Sequence, residues 1–298
     1  MIFLFLAMAA LMAAVTWMNR TGGLLMIPPT TPVAYLARVP HLPLSIFART
    51  FILTEPSSTL LVYLLGLIML GSGIGFVATQ HQSRARLYWG IGLILWGFGA
   101  IAAGTSYQAF GYELKCRGRE LCQFTSSFEL AYLLLTSYSI NFLVAATGYT
   151  SLGETGRKRL IRFAILDSLA YSVFLLVGAV LPDRFMISYE GFMAFLGGDF
   201  VLMFLLNIRH YVVNRDQLNL CLIRLWIGFL AVNIGYFVSL FVGFAAPLYA
   251  RYGIWFNEND ALHILLILWA GQIFFSLRNS LSDTPTRSQA IRGIPVLR

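Results

Sequence analysis

The sequence predicts an all-α, polytopic transmembrane bundle of seven core helices with one further hydrophobic helix at the N-terminus. Three observations carry that prediction. Of 298 residues, 58% are hydrophobic and only 11% charged, against about 25% charged in an average soluble domain. The mean hydropathy is +0.73. The apolar residues also gather into eight stretches separated by short polar loops. A soluble fold could not bury that much apolar surface, and a disordered chain would be polar, so both classes are excluded. The stretches lack period-2 alternation, which excludes a transmembrane β-barrel. Helices are the remaining way to satisfy the backbone in hydrocarbon.

The first stretch, 1–18, has no basic residue ahead of it and no small-x-small site before Asn19. It reads as an uncleaved helix or signal-like segment. Residues 19–58 hold Pro28, Pro29, Pro32, Pro40, Pro43 and Pro56, which makes them a Pro-rich external linker, with a short interfacial helix expected at 44–53. Seven stretches follow at 60–79, 87–110, 127–149, 160–181, 186–207, 221–247 and 261–277. Each has roughly the 17–25 residues that a helix needs to cross about 30 Å of hydrocarbon at 1.5 Å per residue. They define a membrane domain over 59–278, and 279–298 is a basic tail.

The net charge is +8, with 19 Arg and 2 Lys among the basic residues. These lie in loops between apolar runs, where cytoplasmic positive charge accounts for them better than nucleic-acid binding does. The loops at 80–86, 150–162 and 208–224, with the C-terminal segment, hold 13 Arg and Lys against three acids. The alternate loops, with 19–58, hold 8 basic and 8 acidic residues. By the positive-inside rule the core starts outside and the C-terminus is cytoplasmic, in a plasma or inner membrane.

Cys116 and Cys122 flank five residues in a loop that this topology places outside. An oxidising compartment favours a disulfide there, with two free thiols as the alternative; zinc would need a second nearby pair. Cys221, near a helix end, reads as packing. There is no Walker loop, His-Glu-x-x-His or Gly-x-Ser-x-Gly. Gly71 and Gly75 form a Gly-x-x-x-Gly that suits a close helix contact. The last helix has no lysine for a retinal Schiff base, and the four histidines include no pair at helical spacing, which argues against haem.

Polarity gathers at the outer helix ends. The second core helix closes with Thr105, Ser106, Tyr107, Gln108 and Glu113, and the third opens with Ser126, Ser127 and Glu129. The fifth opens with Ser188, Tyr189 and Glu190, and the seventh with Asn257, Glu258, Asn259, Asp260 and His263. Asn259 and Asp260 lie one turn before His263, so the three share one helical side. Carboxylates beside an imidazole can bind a divalent metal or exchange a proton. The competing reading is that Asn259 or Asp260 is an N-cap at the positive end of the helix. Deeper in the bundle lie Asp167 and Asp199, with Asn141 and Asn233 at mid-membrane. Intramembrane carboxylates point either to function or to interhelical hydrogen bonds.

Seven helices starting outside, a polar cluster closing the second and Asn259-x-x-x-His263 opening the seventh resemble the CREST superfamily, of alkaline ceramidase and progestin/adipoQ receptor type. The resemblance would span 59–278. It implies a membrane-embedded metal-dependent hydrolase with a Ser and a His near the end of the second helix, an Asp on the third and His-x-x-x-His on the seventh. In that family three His hold zinc, which activates water to attack an amide. Here His263 matches by type, Asn259 and Gln108 stand at the other two His positions, and Ser106 lies close by. The third helix offers Glu129 and Asn141 in place of the Asp. The expectation is therefore Asp260, Glu113 and Ser106 as catalytic groups and His263, Asn259, Gln108 and Glu129 as metal contacts, with a harder metal held through Glu113, Glu129, Asp260 and His263, or a branch that has lost catalysis. The substrate would be lipid-like or an amide. The alternatives are a non-catalytic membrane sensor or structural subunit, and a small transporter that uses Asp167 and Asp199 along a polar path.

Overall fold

The computed structural model describes residues 2–20, 23–46, 49–81 and 83–283. Arg287, Arg292 and Arg298 of the expected basic tail lie outside these residues. Among the described residues, seven helices are long and apolar enough to cross a membrane. They are α3 (Pro56–Ala78), α4 (Arg84–Gly104), α6 (Ser127–Ser151), α7 (Glu154–Val180), α8 (Tyr189–Asn214), α9 (Gln217–Val242) and α11 (Glu258–Leu277), and α4 continues through a π turn at Thr105–Ala109. Helix α1 (Ile2–Arg20) precedes them, and its apolar part, Ile2–Met18, is shorter than the seven. Small helices α2 (Pro32–Leu36), α5 (Gly111–Lys115) and α10 (Ala245–Tyr252) lie between. The chain is therefore an all-α multi-pass membrane bundle.

Most helices begin a few residues before the apolar stretches do. Polar groups at their ends supply caps: Ser83, Ser126, Ser188 and Asp216 each accept from a backbone N–H of the following turn. Polar residues can extend a helix past the hydrocarbon because the backbone bonds close locally. The sixth stretch ends sooner than its apolarity suggests. Gly243, at φ 60°, caps α9, and the chain turns into α10.

Six of the spanning helices, α3, α4, α6, α8, α9 and α11, close a ring, and α7 packs on α6. α4 packs between α3 and α6; α6 also meets α7 and α8; α9 bridges α8 and α11; and α11 returns to α3. Outside the ring, α1 packs against α7 and α6. α3 and α4 approach closely, but Gly71 and Gly75 do not make that contact. A Cβ at Gly71 would meet nothing within 4 Å, and one at Gly75 would meet only the Phe274 ring at 3.5 Å. The contact falls instead on Gly66 and Gly73 against Gly97 and Gly90. A Cβ at Gly73 would lie 2.7 Å from the Gly90 carbonyl oxygen, and one at Gly97 would lie 2.7 Å from that of Gly66. At about 100° per residue, Gly71 sits about 140° round from Gly66, on a different face.

The linker is folded rather than loose. His41–Ile46 (β1) and Arg49–Thr54 (β2) form an antiparallel hairpin, with Leu44 opposite Phe51 and Leu42 opposite Leu53. This overturns the interfacial helix expected at 44–53. Thr50, Phe51 and Ile52, β-branched or aromatic, favour an extended chain. Residues 24–30 hydrogen-bond to the 116–124 loop: Cys122 N–H donates to the Thr30 carbonyl (2.8 Å) and Met26 N–H to that of Cys122 (3.0 Å). That loop is closed by the Cys116–Cys122 disulfide, whose Cα atoms are 4.3 Å apart. Linker, hairpin and loop together form a cap over the end of the bundle where α4 ends and α6, α8 and α11 begin.

At the opposite end the Asp283 carboxylate accepts from Ser83 Oγ (3.0 Å), Arg84 N–H (3.0 Å) and Ala85 N–H (2.8 Å). It thus ties the chain beyond α11 to the start of α4. The same end carries a buried amide network in which Ser151 Oγ donates toward Asn207 Oδ1 and Asn219 Oδ1.

Candidate functional site: a capped cavity among six helices

Below the cap lies a cavity of about 380 Å³ bounded by α3, α4, α6, α8, α9 and α11. One part of its wall is aromatic and aliphatic, with Trp96, Phe192, Phe200 and Phe229. The rest is polar and rich in tyrosine: Tyr107, Tyr132, Tyr189 and Tyr236 stand with Gln108, Glu129, Glu190, Asn233, Asn259 and His263. An apolar body with a few placed polar groups is the composition of a small-molecule site.

The π turn sets the geometry of the polar wall. Phe110 N–H reaches back to the Thr105 carbonyl (2.9 Å), which widens the end of α4 around Ser106, Tyr107 and Gln108. Ser106 turns inward, where its Oγ meets Glu129 Oε1 at 2.8 Å and Ser126 Oγ at 2.7 Å. Lys115 Nζ approaches the same Glu129 oxygen at 2.8 Å, and its ammonium lies 5.2 Å from the centre of the Tyr107 ring. Burial pulls the Lys115 ammonium down, but Glu129, with Tyr35 and Glu55, together more than offset it, so the net shift is upward and Lys115 stays charged. Among the described residues, the hydrogen bonds and ion pair of the Glu129 carboxylate all reach Oε1.

Three polar atoms on the wall have no hydrogen-bond partner although their surroundings exclude solvent: Gln108 Oε1, Thr136 Oγ1 and His263 Nδ1. Their residues are 4%, 5% and 8% exposed. A native fold rarely leaves such groups unmatched, and each would otherwise cost about 1–3 kcal/mol. They are the groups through which the cavity can hold a molecule.

The sequence-predicted site residues separate into two sets. Gln108, Glu129, Asn259 and His263 all line the cavity, and Ser106 supports Glu129 from behind. Asp260 and Glu113 do not line it. Asp260 is fully buried in a capping box: its N–H donates to Asn257 Oδ1 (3.0 Å), and its Oδ2 accepts from Asn257 N–H (2.9 Å). The N-cap of α11 is thus Asn257, two or three residues before the expected Asn259 or Asp260. Glu113 clamps the hairpin, accepting from Ile52 N–H (2.8 Å) and pairing with Arg117 (2.7 Å), which in turn donates to the Thr50 carbonyl. The expected set of Glu113, Glu129, Asp260 and His263 is therefore not brought together, because two of its members hold backbone.

A zinc site of the three-histidine kind does not fit these residues. His263 is the only imidazole on the wall, Gln108 and Asn259 offer neutral amides, and Glu129 is tied to Lys115. Among the described residues no three His, Cys, Asp or Glu come together as a metal set. The chief residue that the sequence did not flag is Lys115, which looked like one more loop charge. Thr136 also gave no signal, since a lone Thr in a transmembrane helix usually bonds its own backbone. Asn141 did find a partner, donating from Nδ2 to Asp167 Oδ2 on α7 at 2.8 Å. Comparisons with known protein families, curated proteins and solved structures find no match.

Proposed function

We propose that this chain is a non-catalytic membrane sensor whose capped cavity binds a small amphiphilic molecule. The observation that carries the reading is the trio of unpartnered buried atoms, Gln108 Oε1, Thr136 Oγ1 and His263 Nδ1, on the wall of one cavity. The ligand's apolar body would pack among Trp96, Phe192, Phe200 and Phe229, and its polar end would meet those three groups and the tyrosines. We also propose that the capped end is external and the C-terminus cytoplasmic, as the distribution of Arg and Lys argues. The proposed outside location suits the disulfide-closed loop.

The test is extraction and mass spectrometry of whatever copurifies with the full chain, beside Gln108→Leu and His263→Leu. The expected result is an amphiphile retained by the wild type and lost from both variants without loss of folding. Retention in both variants would overturn the reading.

A second reading, the CREST-like hydrolase of lipid or amide substrates, draws support from the convergence of Gln108, Glu129, Asn259 and His263 on one wall. It requires a metal. One divalent ion per purified chain, lost in His263→Leu, together with cleavage of an amide lipid, would put that reading in front.

A further inference from the structure

A second polar cluster lies deeper in the bundle, at the junction of α6, α7 and α8, and none of its residues lines the capped cavity. Asp167 on α7 accepts the hydrogen bond from Asn141 on α6. Asp199 on α8 is 4% exposed, and its Oδ2 has no partner. The two carboxylates are level. Tyr171, one turn along α7 from Asp167, has its ring 5.2 Å from that of Phe195, one turn along the antiparallel α8 from Asp199. Asp167 and Asp199 therefore lie at the same depth on facing sides of α7 and α8.

Helix α6 brings two more oxygens to this junction. Asn141 Oδ1 and Ser137 Oγ are buried and unpartnered, and at i,i+4 they share one stripe. The Asn141 amide that reaches Asp167 through its nitrogen thus presents a free oxygen beside the same carboxylate. Among the described residues, neither Asp167 nor Asp199 forms an ion pair with Lys, Arg or His.

Two carboxylates without a counter-ion at membrane depth are costly; one monovalent cation neutralises one of them, and a proton kept by the other removes the rest. A proton shared between them would satisfy one oxygen and leave Asn141 Oδ1 unmatched. A hard cation can take several oxygen ligands at once. Magnesium gives up its hydration reluctantly, and calcium takes about 6–8 oxygens, more than are left once Asp167 Oδ2 accepts from Asn141. We propose that Asp167, Asp199, Asn141 and Ser137 form an intramembrane site for one sodium ion.

The experiment uses the purified full chain in detergent at pH 8 and constant ionic strength, with sodium chloride exchanged stepwise for choline chloride. The wild type should show a saturable, sodium-specific rise in unfolding temperature of about 3 °C or more. Asp199→Asn should lose that rise, and it should melt in choline no lower than the wild type because it removes an intramembrane charge. Ser137→Ala changes no charge; it should fold normally and shift the sodium midpoint about fivefold higher, as expected for loss of one neutral ligand. Equilibrium binding of radioactive sodium should give one ion per chain, displaced by cold sodium and not by choline. Identical melting in sodium and choline, a response to pH alone, a stronger response to calcium, or an undiminished sodium response in Asp199→Asn would each overturn the proposal.

Discussion

Lys115 Nζ lies 2.8 Å from Glu129 Oε1, and the two side chains are only 6% and 3% exposed. The pair joins the short helix after the π turn to the first turn of α6, so it holds the polar wall of the cavity to its cap. Removing one member of a buried pair leaves the other charge uncompensated, which typically costs about 3–5 kcal/mol, whereas replacing both with apolar residues is often nearly neutral. Lys115→Met and Glu129→Leu should each lower the unfolding temperature sharply, and Lys115→Met/Glu129→Leu should recover much of the loss. A double variant as damaged as the two singles added together would show that the residues act independently.

Glu55 connects the hairpin to α3 at φ 45°, and its Oε2 accepts from Asn257 Nδ2 (3.0 Å) at the cap of α11. Burial pushes its carboxyl up to about 7, against the hydrogen bond from Asn257 that pulls it down, and the Asp260 charge adds to the rise. The folded state therefore holds a proton that the unfolded state has already released above about pH 4.5. The stability from this group is full below about 4.5 and is lost as pH rises through about 7. Unfolding temperature measured from pH 5 to 8 should fall more steeply in the wild type than in Glu55→Gln. Equal slopes would remove Glu55 from the account.

The glycine contact between α3 and α4 separates position from motif. Gly73→Ala and Gly97→Ala should each destabilise by about 1–3 kcal/mol, because the added methyl meets a backbone oxygen that cannot move away alone. Gly71→Ala should be silent or mildly stabilising, since its site is open and alanine is the better helix former. Thermal unfolding of the three variants decides it, and a damaging Gly71→Ala would contradict the helix pairing described above.

Cys116→Ser, Cys122→Ser and the double change should lower stability alike, by about 2–3 kcal/mol or less for so short a loop. Alkylation of both thiols in unreduced protein would refute the bond itself.

Membrane sidedness can be read in intact cells carrying Cys221→Ser and one added cysteine. Asp183→Cys, in the loop at the capped end, should react with an impermeant maleimide, and Lys158→Cys, exposed at the other end, should not. The reverse pattern would invert the orientation.

The amino-acid sequence by itself determined the solvent and the seven spanning helices. Eight apolar stretches with too few charges for water leave a helix as the only economical backbone in lipid, and that local rule needs no knowledge of neighbours. It also brought Gln108, Glu129, Asn259 and His263 to attention, because polar residues at helix ends stand out against hydrocarbon. What it could not give was which helical face meets which. Gly71 and Gly75 carry the motif, but the ring of helices turned Gly66 and Gly73 toward α4. Asp260 sits one turn from His263, yet the capping box took its carboxylate, since an unpaired backbone N–H at a buried helix start competes for the nearest acceptor. Glu113 was drawn to strand β2 by a hairpin that no periodicity in the proline-rich linker announced. The Lys115–Glu129 pair and the level placement of Asp167 and Asp199 depend on contacts between separate helices. Only the packing of the whole chain decides those.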